Sequence, residues 1–161
     1  MNAKLAVLAI LAAAAVTLAA VAAAGPDAAK QRVAITLKNL PEGEFVLTPL
    51  QAGALKRDSG TANLVYGPSR VVIREGQKVA IFGAATHTFV GKRGILTIRE
   101  RSEWVDVDPG PGYNAATGTW KVVRGTGEYA GITGGGRSVH VARDAHPGLW
   151  KARQEGFLTL P

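Results

Sequence analysis

The chain has 161 residues, 47% of them hydrophobic and 19% charged, and carries a net charge of +7 with no cysteine. That length fits one domain, and the missing cysteine excludes a disulfide framework, a thiolate metal site, a redox pair, a cysteine nucleophile and a lipidated cysteine. The basic residues are scattered, with Lys92-Arg93 and Arg99-Glu100-Arg101 the densest groupings, so no nucleic-acid partner is expected, and the positive excess favours only contact with anionic surfaces such as envelope polymers.

Lys4 opens the chain with a positive charge, Leu5 to Ala24 carries none, and Ala22 and Ala24 form a small-x-small pair before Gly25-Pro26. This order predicts a secretory signal over 1–24, cleaved after Ala24, and a secreted, periplasmic or extracellular product of about 137 residues with no stable membrane anchor. An uncleaved anchor is the competing reading, since the apolar run is long enough to span a bilayer. Removing Lys4 lowers the net charge to +6. About 137 residues can bury a core unaided.

Residues 25–31 read as a flexible lead, and 32–161 as a single β domain. Arg32 to Leu40 alternates, with Val33, Ile35 and Leu37 on one side. Pro41-Glu42-Gly43 is a turn, and Glu44 to Leu50 a second run. Asp58-Ser59-Gly60 reads as a tight hairpin turn between Ala54–Arg57 and Thr61–Tyr66, because Asp and Gly tolerate positive φ. Gly67-Pro68 reads as a break. Arg70–Arg74, Gln77–Phe82 and Thr86–Val90 follow, with turns at Glu75-Gly76 and Gly91 to Gly94. The longest run, Ile95 to Val107, puts Leu96, Ile98, Glu100, Ser102 and Trp104 on one face. Asp108 to Gly112 is a Pro/Gly loop. Thr119–Arg124, Arg137–Arg143 and Leu149–Leu160 complete the set, with Gly156 expected at a bend or bulge. No sustained helical stripe follows Ala24; Tyr129 to Thr133 suits at most one turn of helix. The expectation is an all-β fold, a closed antiparallel barrel of about eight strands that leaves no exposed edge.

The segment Gly125-Thr126-Gly127-Glu128-Tyr129-Ala130-Gly131-Ile132-Thr133-Gly134 is the most distinctive. Its spacing is not a dinucleotide fingerprint, it has no P-loop lysine, and no helix follows to hold a phosphate, so no nucleotide cofactor is expected. A structural turn fits better: Gly125, Gly127, Gly131 and Gly134 bend the chain, and Tyr129 and Ile132 plug the barrel end. Together with Trp120 to Arg124 before it, this segment resembles the allene oxide cyclase-like and dirigent-like β-barrel superfamily. The resemblance runs over about 94–141. It implies an eight-stranded barrel with a central cavity, association into homo-oligomers, and a cavity that either cyclises an oxidised fatty acid or orients phenolic radicals. The acid and amide residues that serve the plant cyclases have only a loose echo in Arg57-Asp58-Ser59-Gly60, so activity does not transfer with the fold.

Glu100 is the preferred cavity residue, because its face is otherwise Leu96 and Ile98; buried, it would serve as a general acid or base. The competing reading, the commoner fate of a carboxyl, swaps the faces at a bulge and leaves Glu100 at a solvated rim beside an arginine. Trp104, Trp120, Trp150, Tyr66, Tyr113 and Tyr129 are aromatics that could line a pocket, with Trp104, Trp120, Tyr129 and Tyr66 the chosen candidates, against the alternative of core filler. His87, His140 and His146 match no zinc spacing and read as surface or rim histidines. Asp106 to Gly110 hints at calcium, but Thr117 stands where the bidentate Glu is needed, so no metal is expected. The sequence thus points to binding of a small hydrophobic or phenolic ligand. An isomerase or cyclase in the same cavity, and an interaction protein for anionic envelope polymers, are the alternatives. An open cavity with convergent polar groups would favour the enzyme, and a filled interior would favour the last.

Overall fold

The computed structural model describes residues 29–39, 42–105, 113–143 and 150–161. The expected signal segment, the Asp108–Gly112 loop and His146 lie outside the described residues. The rest forms eight strands: β1 (Lys30–Lys38), β2 (Glu42–Pro49), β3 (Asp58–Arg74), β4 (Gln77–Gly91), β5 (Ile95–Val105), β6 (Tyr113–Gly125), β7 (Thr133–Arg143) and β8 (Lys151–Thr159). Among the described residues the only helical element is a single 3₁₀ turn, Gly127–Tyr129.

Each strand runs antiparallel to the next, and β8 pairs back along the whole of β1, from Lys30 opposite Thr159 to Lys38 opposite Lys151. All eight therefore belong to one sheet that rings round on itself. The period-2 alternation of the strands explains which side fills the middle. Val33, Ile35 and Leu37 of β1, Phe45 and Leu47 of β2, Phe89 of β4, Leu96 and Ile98 of β5, Trp120 of β6 and Leu158 of β8 are buried together. On the other face Arg99, Arg101 and Glu103 stay exposed, although Ala34 and Thr97 are buried there too.

Four expectations from the sequence are corrected. Asp58-Ser59-Gly60 is not a hairpin turn but the start of β3, with Asp58 opposite Leu47 and Gly60 opposite both Phe45 and Gly91. Gly67-Pro68 does not end the strand. The register slips between Tyr66 and Ser69, and this bulge absorbs a proline that has no N–H to give a ladder. Gly134 to Gly136 lie inside β7 rather than in a loop. Gly156 sits in unbroken pairing with Val33 and Gly136; it is glycine because a Cβ there would lie 2.2 Å from the Gly135 carbonyl oxygen, where β7 and β8 press together.

The two ends of the ring differ. One end holds the Gly91–Gly94 turn, the β2–β3 loop and the 3₁₀ turn, and buried side chains seal it. Tyr129 donates a 2.8 Å hydrogen bond to Asp58, whose carboxylate also accepts from the backbone N–H groups of Ser59, Lys92 and Arg93. Burial works against ionisation of Asp58, but these four donors outweigh it and hold the carboxyl below its ordinary range. Burial, then the Asp58 bond, pushes the Tyr129 hydroxyl up. Gln31 pins the β2–β3 loop at the same end, accepting from Leu55 N and donating to Gln51 O. The other end, where β3 turns into β4 through the positive-φ pair Glu75-Gly76, carries the hollow that reaches the buried interior, whereas the hollow at the first end is a polar surface cleft beside Arg57, Lys92 and Glu128.

Candidate functional site

β5 carries the centre of the site. The register between β5 and β6 slips beside Ile98, but the extra residue is Val123 on β6. β5 keeps its alternation, so Glu100 follows Leu96 and Ile98 inward and is 1% exposed. It does not stand at a rim beside an arginine.

Four side chains from three other strands converge on its carboxylate. Ser138 Oγ of β7 donates to Oε1 at 2.8 Å, and His140 Nε2, two residues on, contacts the same oxygen. Gln154 Nε2 of β8 donates to Oε2 at 2.9 Å. His87 Nε2 of β4 lies 3.0 Å from Oε2, an ion-pair contact rather than an aligned hydrogen bond. A carboxylate offers about four lone-pair sites; Ser138, His140 and Gln154 take three, and His87 stands close to the fourth. Desolvation opposes the charge, yet the hydrogen bonds and positive fields of His140 and His87 prevail and hold Glu100 well below the usual carboxylate range. Gly118 leaves room for this cluster: a Cβ there would come within 2.7 Å of Ser138 Oγ and 3.0 Å of Glu100 Oε1.

His87 and His140 are therefore not surface histidines. They are 1% and 2% exposed, with ring centres 6.3 Å apart. Each turns Nε2 to the same carboxylate, which places the ring proton on Nε2 and leaves Nδ1 as the free base when the ring is neutral. Neither Nδ1 has a hydrogen-bond partner. Among the described residues no group of His, Asp or Glu side chains is arranged to hold a metal ion.

Aromatic rings stand over the imidazoles. Trp104 and Trp150 lie 5.6 and 6.1 Å from His140 and meet each other edge to face at 5.6 Å. Tyr66 stacks on Trp150 at 5.9 Å and is 61% exposed. Trp150 is 8% exposed, and its Nε1–H has no partner. Beneath these rings is a small cavity of about 30 Å³ reaching His87, Glu100 and His140. Outside them is a basin of about 370 Å³ floored by Gly83 and Ala84, and both spaces are lined by Tyr66, Trp104 and Trp150. A larger hollow of about 610 Å³ lies along the outer face of β4 to β7 beside Phe82, Arg101, Glu103 and Arg137. That one is a mixed-charge surface groove, and among the described residues no orphaned buried group lines it.

Of the aromatics singled out in the sequence, Tyr66 and Trp104 meet Glu100 at this end. Trp120 is buried among the core side chains and donates its Nε1–H to Arg137 O at 3.1 Å. Tyr129 sits at the opposite, sealed end. Trp150, one of the aromatics the sequence offers for a pocket, lines both spaces, whereas His87, Ser138, His140 and Gln154 carry no mark as site residues in the sequence. The parity of β7 and β8 was a usable signal: Ser138 and His140 share one face, and Gln154 shares a face with Leu158. No family model, curated protein or solved structure matches the chain.

Proposed function

We propose that this is an exported small-ligand-binding protein, built as a barrel of the allene oxide cyclase-like or dirigent-like type. Its ligand has a flat apolar or phenolic body and one neutral oxygen-bearing head. The body lies in the basin against Tyr66, Trp104 and Trp150, and the head reaches the imidazoles. The observation that carries this reading is the set of buried, partnerless groups under an open basin: His87 Nδ1, His140 Nδ1 and Trp150 Nε1. A buried polar group without a partner costs about 1–3 kcal/mol, which a bound oxygen head would recover. The basin volume falls in the range of small-molecule sites. An ionised Glu100 argues against an anionic head. The remaining interior is packed with side chains, so the ligand sits at the mouth and not through the length of the ring.

The test is a fluorescence titration with 2-naphthol, which combines a fused aromatic body with one hydroxyl. Trp104 and Trp150 are the reporters. Saturable quenching that weakens in Tyr66→Ala supports the reading. No saturable change up to the solubility limit of naphthol rules it out.

A further inference from the structure

We propose that His87 and His140 form a proton-transfer pair that enolises a neutral carbonyl compound bound at this mouth. The inference deepens the binding reading above and rests on it: it names the substrate class and gives the site a reaction.

Binding alone does not require two imidazoles with this arrangement. Both hold Nε2 against one carboxylate and both leave Nδ1 without a partner, and both border the same small cavity. A carboxylate behind an imidazole fixes its tautomer and stabilises the imidazolium that forms when Nδ1 takes a proton. Here one carboxylate serves two rings at once, and Ser138 and Gln154 hold it in place. The cavity also offers one hydrogen-bond donor without an acceptor, Trp150 Nε1–H. A group that satisfies all three must accept one hydrogen bond and present a removable proton within a few bonds. A carbonyl with an adjacent C–H does so. An ammonium gives Trp150 no acceptor, and a carboxylate adds a second negative charge beside Glu100. The 30 Å³ space has room for about two water-sized centres, the size of a carbonyl and its neighbouring carbon.

The step balances without an oxidant, a reductant or a co-reactant. One neutral imidazole takes the α-proton at Nδ1. The C–H electron pair becomes the C=C bond of the enol, and the carbonyl π pair moves to oxygen. That oxygen takes a proton from the other imidazole when that ring is charged, which gives the neutral enol; otherwise it stays an enolate, hydrogen-bonded by Trp150 Nε1–H and balanced by the imidazolium just formed. In the return step carbon is reprotonated from an imidazolium, at the same or at a conjugated position. The net change is proton exchange or a double-bond shift. Glu100 stays ionised throughout and acts as a positioning residue.

The experiment uses 2-tetralone, whose enol has the ring system of 2-naphthol. The full-length protein is incubated with it in D₂O, and loss of the α-C–H signals is followed by ¹H NMR. Exchange faster than in buffer with an equal concentration of free imidazole, and suppressed competitively by 2-naphthol, is the expected result. At saturating 2-tetralone, where weaker binding of the variant is made up by concentration, His87→Asn and His140→Asn each slow exchange at least tenfold, since a positioned base typically contributes about 10²–10⁴-fold. Because suppression by 2-naphthol is read on the unmodified chain, the test survives a variant that fails to fold. Bound 2-tetralone that exchanges no faster than the imidazole control overturns proton transfer and leaves the binding reading standing. A 2-tetralone that does not displace 2-naphthol overturns this proposal, and naphthol that itself fails to bind removes both.

Discussion

Replacing Glu100 with glutamine keeps the shape of the buried side chain and removes its charge. In the native chain each carboxylate oxygen meets two side chains, Ser138 and His140 on Oε1 and Gln154 and His87 on Oε2. In Glu100→Gln one of those oxygens becomes an NH₂, which faces donors instead of accepting from them. Two contacts to a charged acceptor are lost, each worth about 1.5–3 kcal/mol. Against this, the variant no longer desolvates a charge, and one histidine can change tautomer to accept from the new amide. The balance at neutral pH is a loss of about 3 kcal/mol, or a fall of about 2 M in the urea midpoint for a domain of this size. The pH dependence sharpens the test. The folded state holds Glu100 below its ordinary 4.5, so its contribution is complete above that ordinary value. It drains away as the pH falls from about 5 toward the folded value. The gap between native protein and Glu100→Gln should therefore be widest near pH 7 and narrow on acidification, with part of it still present at pH 3. Urea melts followed by tryptophan fluorescence at pH 7, 5 and 3 measure it. A gap that is constant with pH, or a variant as stable as the native chain at pH 7, refutes the account of Glu100 as an ionised hub.

Gly127→Val should abolish soluble expression or lower stability by at least ~3 kcal/mol, because φ is +60° and a Cβ would lie 2.5 Å from Arg93 O; a soluble variant with an unchanged melting temperature contradicts this. Tyr129→Phe strips Asp58 of its one side-chain donor and should cost about 1–2 kcal/mol in a thermal or urea melt, without changing naphthol affinity, since the sealed end lies away from the mouth. Tyr66→Ala has the opposite signature: the side chain is exposed, so the melting temperature should move by less than ~3 °C while naphthol affinity falls several-fold. Equal effects of Tyr66→Ala and Tyr129→Phe on binding would remove the distinction between the two ends.

Much of the β pattern was legible because alternation and turn chemistry agreed. Val33-Ile35-Leu37 and Leu96-Ile98 declared their faces, and Glu75-Gly76 and Gly91 to Gly94 declared their turns. The errors came where a residue type carries two meanings. Asp58 followed by Gly60 has turn chemistry, but Asp58 is used as an acceptor for the Gly91–Gly94 turn and for Tyr129, contacts distant in sequence. Gly134 to Gly136 looked like loop because nothing local shows that β6 and β8 crowd β7 there. The site suffered from the same limit. Parity put Glu100 inward, but a lone carboxyl inside a strand face is more often solvated. Only the ring of strands brings His87, 13 residues before it, and Gln154, 54 residues after it, to the same carboxylate oxygen. Strand parity places His87, Ser138, His140 and Gln154 inward with Glu100, but it places Gln31 and Asp58 inward too, and only the closed ring separates the two groups to opposite ends.

The pairing of β1 with β8 spans nearly the whole described chain, and it sets a condition on biogenesis. Until Lys151–Thr159 has left the ribosome, both margins of the growing sheet, β1 and β7, remain open to foreign strands. Gln154 arrives with that strand, so the carboxylate of Glu100 lacks one of its donors until β8 is in place. A nascent or prematurely terminated chain would be prone to self-association, and would lack the finished acid–base cluster for the same reason.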